Sequence, residues 1–185
     1  MADISFRPDS PVSKALRSWF DELHGLSSGE EVKRRAKTGD RARLRRSEGS
    51  EGVSLVPAYH ALLAALAAAG APVPEKERER WAWIAGLLSR VSGHTPERKL
   101  AVAMGRPPEG KSRAPISEAR TRRLLETRDR EEVYRQLRRV LEQVDGPLDV
   151  LALAGDLFFW GPQVRRQWAY DYYDAAPKAA KGDSK

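Results

Sequence analysis

The chain has no cysteine, which excludes disulfides and thiolate metal sites. Histidine is almost as scarce. His24, His60 and His94 stand far apart, with none of the spacing that metal ligation uses. No apolar run reaches the length of a membrane span; the longest, 62–69, is rich in alanine and ends at Gly70. The first residues, MADISFRPDS, do not form a signal peptide. A soluble, cytoplasmic protein without membrane contact is expected. Strand signals are missing as well, because no segment shows sustained alternation with β-branched residues between turns. There is no nucleophile elbow, no dinucleotide fingerprint and no H-E-x-x-H. No catalytic residue, metal or cofactor is expected, and the chain does not read as an enzyme. Asp156, inside the apolar run 148–160, is the one carboxylate on an apolar face, and an arginine of a neighbouring helix is its expected partner.

What is present is positive charge, and it is unevenly placed. The net charge is +7 over 185 residues. Residues 33–46 (KRRAKTGDRARLRR) hold eight basic residues and one acidic, whereas residues 1–32 hold three basic and six acidic. A second basic block spans 111–139, with ten basic and five acidic residues. Arginine outnumbers lysine 24 to 9. Its planar fork grips phosphate with two hydrogen bonds and stacks on bases, so the bias suits nucleic acid. The first block offers Arg34, Arg35, Lys37, Arg41, Arg43, Arg45 and Arg46 as contacts, and the second begins with Lys111 and Arg113. A solvated face or a helical adaptor for acidic partners would also carry such charge, although a merely solvated face is usually mixed in sign.

Helix signals follow one another almost without a break. Ser10-Pro11 supplies an N-cap and an N1 proline, and Val12, Leu16, Trp19, Phe20 and Leu23 then form one apolar face. Ser28 and Glu31 make a capping box for a helix through Arg35. Thr38-Gly39-Asp40 reads as a turn before a short helix RARLRR, and GSEG (49–52) as a mobile loop. Helices are expected at 56–69, 75–91, 95–104, 117–128, 129–144, 148–160 and from Pro162 on. His60 is expected to be partly buried. His24 and His94 adjoin helix-ending glycines, where a cation is favoured. Phe159, Trp160 and Trp168 read as core, while Tyr170 and Tyr173 share an exposed face with Arg166. The fold class is therefore all-α, about eight or nine helices in an elongated bundle of two lobes. The lobes are 1–104 and 117–174, joined by a basic Pro/Gly linker at 105–116 and followed by a disordered tail at 175–185.

That linker contains GRPPEGKS (105–112), which matches the phosphate-cradling G-x-x-x-x-G-K-[ST]. A nucleotide-dependent enzyme using Lys111 and Ser112 is the alternative this raises. Its context is wrong. Pro107 and Pro108 remove N–H groups where the cradle needs them, no second strand joins LAVAM (100–104), and Pro115 sits where the following helix should run. A flexible basic connector is expected instead.

Three stretches carry a resemblance: TGDRARLRR (38–46), SEARTRRLLETRDREEVYRQLRRVL (117–141) and LALAGDLFFWGPQVRRQWAYDYY (151–173). Together they resemble the CasB family, the small subunit of the type I-E CRISPR Cascade surveillance complex. The last stretch is the most specific, because its aromatics and arginines stand at fixed positions. The resemblance implies an all-helical, non-catalytic subunit, present with a second copy of itself among the other Cascade subunits, the CRISPR RNA and target DNA. It implies nucleic-acid binding without sequence preference and a role in holding the displaced strand of the R-loop. The family's basic surface would fall on Arg41, Arg43, Arg45 and Arg46, on Arg120, Arg122, Arg123, Arg138 and Arg139, and on Arg165 and Arg166. From spacing alone, Arg135 would pair with Glu131, and Arg138 or Arg139 with Glu142; contact with DNA is the alternative for all three, and the favoured one for Arg139.

Overall fold

A computed structural model describes residues 4–25 and 31–177, with the side chains of 31–38 left out of the description. Ten α-helices are found among them. Helix α1 (Pro11–Leu23) starts as its sequence dictates: the Ser10 hydroxyl accepts from the Ser13 amide, and Pro11 takes a position that needs no donor. Helix α2 (Glu31–Arg46) runs without interruption, so the expected turn at Thr38-Gly39-Asp40 is absent. Gly39 costs helix stability but breaks nothing, and no neighbour crowds it. GSEG is not a loop either, because Gly49–Ser54 forms the short helix α3, which buries Val53. Helix α4 (Pro57–Ala68) and helix α5 (Glu75–Leu88) follow.

Helix α5 is the central element. Every residue from Trp81 to Leu88 is buried, and the helix packs against α3 and two later helices, α8 (Arg130–Gln143) and α9 (Val150–Phe158). Burying each of Ile84, Leu87 and Leu88 contributes about 1.5–3 kcal/mol. Gly86 lies against the Tyr134 ring of α8: a Cβ there would stand 2.4 Å from the phenol oxygen. Helix α1 crosses α4, where the Trp19 indole N–H donates to the Ala58 carbonyl at 2.8 Å. Segment 93–95 then pairs with Leu148 through two backbone hydrogen bonds, so the expected helix at 95–104 begins only at Leu100, as α6 (Leu100–Gly105). Helix α7 (Glu118–Glu126) and α10 (Pro162–Ala175) complete the set. Asp129 and Asp149 cap α8 and α9 through their carboxylates.

Helix α6 packs tightly on α10, and the buried core continues from the N-terminal helices through α5 into α8, α9 and α10. Trp19, Trp81 and Trp168 are buried, and Trp160 is half-buried. Phe159 is not core: it follows the last turn of α9 and is 56 % exposed, touching Phe6 and Phe158 only in T-shaped contacts. His60 is exposed and donates through Nε2 to the Ser54 carbonyl. Tyr170 and Tyr173 are exposed as expected. The tail expected to be disordered lies, from residue 178 on, outside the described residues.

Candidate nucleic-acid interface

The phosphate-cradle match dissolves in three dimensions. Residues 100–105 are helical rather than a strand, and no helix opens at Lys111. Gly105 is buried against α10, and Gly110 forms a turn with φ +73°. Lys111, Ser112 and Arg113 are exposed on an irregular segment.

The arginines of the first block divide by role. Arg34, Arg35 and Lys37 have side chains outside the described residues. Arg41 is half-buried; its Nε donates to the Ser89 carbonyl at 3.0 Å and Nη2 to the Val91 carbonyl at 3.3 Å. It therefore closes the C-terminal end of α5, where unpaired carbonyls favour a cation. Burial and the nearby Arg45 guanidinium push its pKa down. Arg43 is exposed and reaches back to Asp40, and Arg46 bonds to the Ala42 carbonyl of its own helix. Arg45 is exposed, and its carbonyl accepts from Arg90.

Arg90, which the sequence did not single out, is the hinge of the basic surface. Its side chain is only 4 % exposed and pairs with Glu142 of α8 at 2.8 Å. One guanidinium thereby ties the end of α2 to α8. Burial, then the Arg138 charge, lowers its pKa. Because Glu142 is taken by Arg90, the pairing of Arg138 or Arg139 with Glu142 does not form, and Arg135 pairs with Glu132 rather than Glu131. Arg139 is left exposed with no ion pair among the described residues.

Helix α8 carries these groups between two grooves. One, of about 460 Å³, lies beside α3, where Arg135, Arg138 and Arg139 face Glu48, Glu131 and Glu142. The other, of about 330 Å³, lies between α7 and α8 and brings Arg120, Arg123 and Arg139 together. Arg139 lines both grooves, and so a basic strip joins Arg138 on one side of it to Arg120 and Arg123 on the other. Arg122 lines neither groove and pairs with Glu118, whose Oε1 also accepts from the Tyr173 hydroxyl at 3.3 Å. Arg165 is part-buried and donates to the Leu125 carbonyl at 3.0 Å, which fastens α10 to the end of α7, whereas Arg166 is exposed. Spacing alone could not separate these roles, since helix-end carbonyls recruit arginine as readily as phosphate does.

Asp156 accepts from the Trp168 indole N–H at 2.7 Å rather than pairing with an arginine, and burial raises its pKa. His94 is no cation: its Nδ1 accepts from the Val150 amide at 3.2 Å, and burial followed by the Arg17 charge lowers its pKa. His24 is stacked on Phe20 with centroids 4.1 Å apart, and burial plus the Arg41 charge push its pKa down to about 4. Below its ordinary value of 6.5 the unfolded ring takes up a proton that the folded ring refuses until about pH 4. The unfolded state therefore binds more protons in that window, and stability falls as pH drops through it. The full shift corresponds to roughly 3 kcal/mol, and partial exposure of the ring brings the expected loss to about 1–2 kcal/mol. Asp156, whose pKa moves up, works in the opposite sense. Urea unfolding at pH 7 and pH 4.5 should show a shallower acid loss for His24→Gln than for the parent; equal losses would clear the ring of this role.

Among the described residues no three metal-ligating side chains gather, and no helix is long and apolar enough to cross a membrane. Comparison with known proteins then gives a consistent result. Among curated proteins none matches by sequence. Among solved structures, CasB from Thermus thermophilus is similar at 28 % identity and a TM-score of 0.63, covering 90 % of this chain and 99 % of that one. A second Thermus thermophilus structure, of a CRISPR-associated protein of the Cse2 family, is similar at 29 % identity and a TM-score of 0.61, with coverage of 90 % and 99 %. A chain of E. coli Cascade bound to a PAM-containing dsDNA target shares the fold at 22 % identity and a TM-score of 0.60, with coverage of 85 % and 93 %. The profile described as CRISPR-associated protein Cse2 matches residues 40–173, a span that runs from the end of α2 through the whole basic strip to α10, and the chain belongs to the Cse2 family.

Proposed function

We propose that this chain is a non-catalytic structural subunit of a Cascade-type, RNA-guided DNA surveillance complex. In this reading it works beside a second copy of itself, other Cascade subunits, CRISPR RNA and target DNA, and holds the displaced strand of the R-loop. The observation that carries the reading is the strip Arg138–Arg139–Arg120–Arg123, formed on the surface of a chain of this family. Arginines spread along a helix face follow a phosphate backbone without reading bases, and such a complex delegates sequence recognition to guide pairing.

Co-expression with the other Cascade subunits and a guide RNA tests it. The chain should co-purify with them, and its omission should shorten the lifetime of the R-loop on a matched target. A chain that purifies alone, or an R-loop equally long-lived without it, would overturn the proposal.

A further inference from the structure

The groove between α7 and α8 is more than a stretch of the basic strip. Its floor is apolar, made by Ile116, Leu124 and Val140, which belong to the buried core. Its walls carry Arg123 from α7 and Arg139 from α8, both exposed and neither in an ion pair among the described residues. One end is bridged by the Arg120 guanidinium, which donates to the Gln143 amide oxygen at 2.8 Å. At the other, the Gln136 amide donates to Thr127 at 3.0 Å and to Glu132 at 3.2 Å. The carboxylates that line it are already partnered, Glu132 by Arg135 and Glu142 by Arg90, so Arg120, Arg123 and Arg139, none of them in an ion pair among the described residues, set the field of the groove.

At about 330 Å³ the groove stands near the lower end of the roughly 300–1,000 Å³ of small-ligand sites. That is too narrow for a duplex or a peptide helix and suits one flat heterocycle. An apolar floor, amide groups at both ends and guanidinium planes on both sides match a nucleobase, whose faces stack on arginine and whose edges exchange hydrogen bonds with amides. The same guanidiniums reach the phosphates on either side of a base turned into the groove.

We propose that the α7–α8 groove is a nucleotide pocket that takes one unpaired base of a bound single strand. The inference rests on the nucleic-acid reading given above, and adds to it a contact to the base rather than to the backbone alone. The pocket accepts any base, because stacking on guanidinium planes does not fix one donor–acceptor pattern.

The test uses the full chain and two oligonucleotides of equal length and charge, an ordinary single strand and one with abasic sugars throughout. The parent protein should bind the base-bearing strand at least about fivefold more tightly. Gln136→Ala with Gln143→Ala should reduce that preference, while the salt-dependent part of binding stays. Equal binding of the two strands by the parent, weakened by salt alike, would overturn the pocket and leave the backbone-binding reading standing. A preference undiminished in the double variant would place the base contact elsewhere and also overturn it. Binding of neither strand, or equal binding of a polyglutamate peptide, would overturn both readings. The comparison on the parent protein is independent of whether the variants fold.

Discussion

Alanine at position 105 should destabilise the protein by about 2–4 kcal/mol, although it replaces a glycine at the end of a helix with the residue that helices prefer. The sign follows from competing magnitudes. Helix propensity alone favours alanine by roughly 1 kcal/mol. A Cβ at Gly105, however, would stand 2.5 Å from the Tyr172 carbonyl oxygen and 3.2 Å from the Ala176 amide nitrogen, both backbone atoms of the α10 end. Backbone cannot swing aside as a side chain does, so α6 and α10 must separate. That separation would loosen Tyr172, whose ring is buried and whose hydroxyl donates to the Ile116 carbonyl at 2.8 Å. Gly39 supplies the opposite control. It lies inside α2, nothing approaches within 4 Å of its absent Cβ, and alanine there should stabilise by about 0.5–1 kcal/mol. Urea midpoints of the two variants should move in opposite directions. A Gly105→Ala midpoint equal to the parent's would mean that the α6–α10 contact is soft, and the close approach would lose its role.

The same glycine shows where sequence reading succeeds and where it fails. As letters, Gly105 opened a nucleotide-binding pattern; as structure, it is a point of close approach between two helices distant in the chain. Local chemistry did specify most elements. Ser10, Asp129 and Asp149 cap their helices because a short polar side chain before an apolar period satisfies the first free amides. Errors arose where tertiary contact outweighs local propensity. Gly39 reads as a break, yet Leu44 is fully buried and Arg41 is bonded to the end of α5, so α2 is held as one piece. GSEG reads as a loop, yet Val53 packs beside Gly86 and keeps its neighbours helical. At the basic surface the sequence located the arginines but not their duties. Arg41, Arg90 and Arg165 bond to backbone carbonyls of other helices, which depends on where distant helices end and has no signature in spacing.

That division of labour gives the sharpest test of the interface. Arg41→Ala should destabilise the fold by about 1–2 kcal/mol, because the Ser89 and Val91 carbonyls at the end of α5 lose their cationic donor. It should leave the salt dependence of DNA binding almost unchanged, since two of its donors already serve the protein. Arg123→Glu with Arg139→Glu should behave in the reverse manner. Both side chains are exposed and unpaired among the described residues, so stability should change by no more than about 0.5 kcal/mol. Affinity for single-stranded DNA of any sequence should fall by roughly tenfold or more at low salt, and the slope of log K against log salt should shrink by about one unit for each lost phosphate contact. Thermal melts and titrations at several salt concentrations give the four numbers needed. The proposed nucleic-acid surface on α7 and α8 would be overturned if the double reversal left the slope intact. A slope that shrank instead in Arg41→Ala, with its stability untouched, would move the contact to the end of α2.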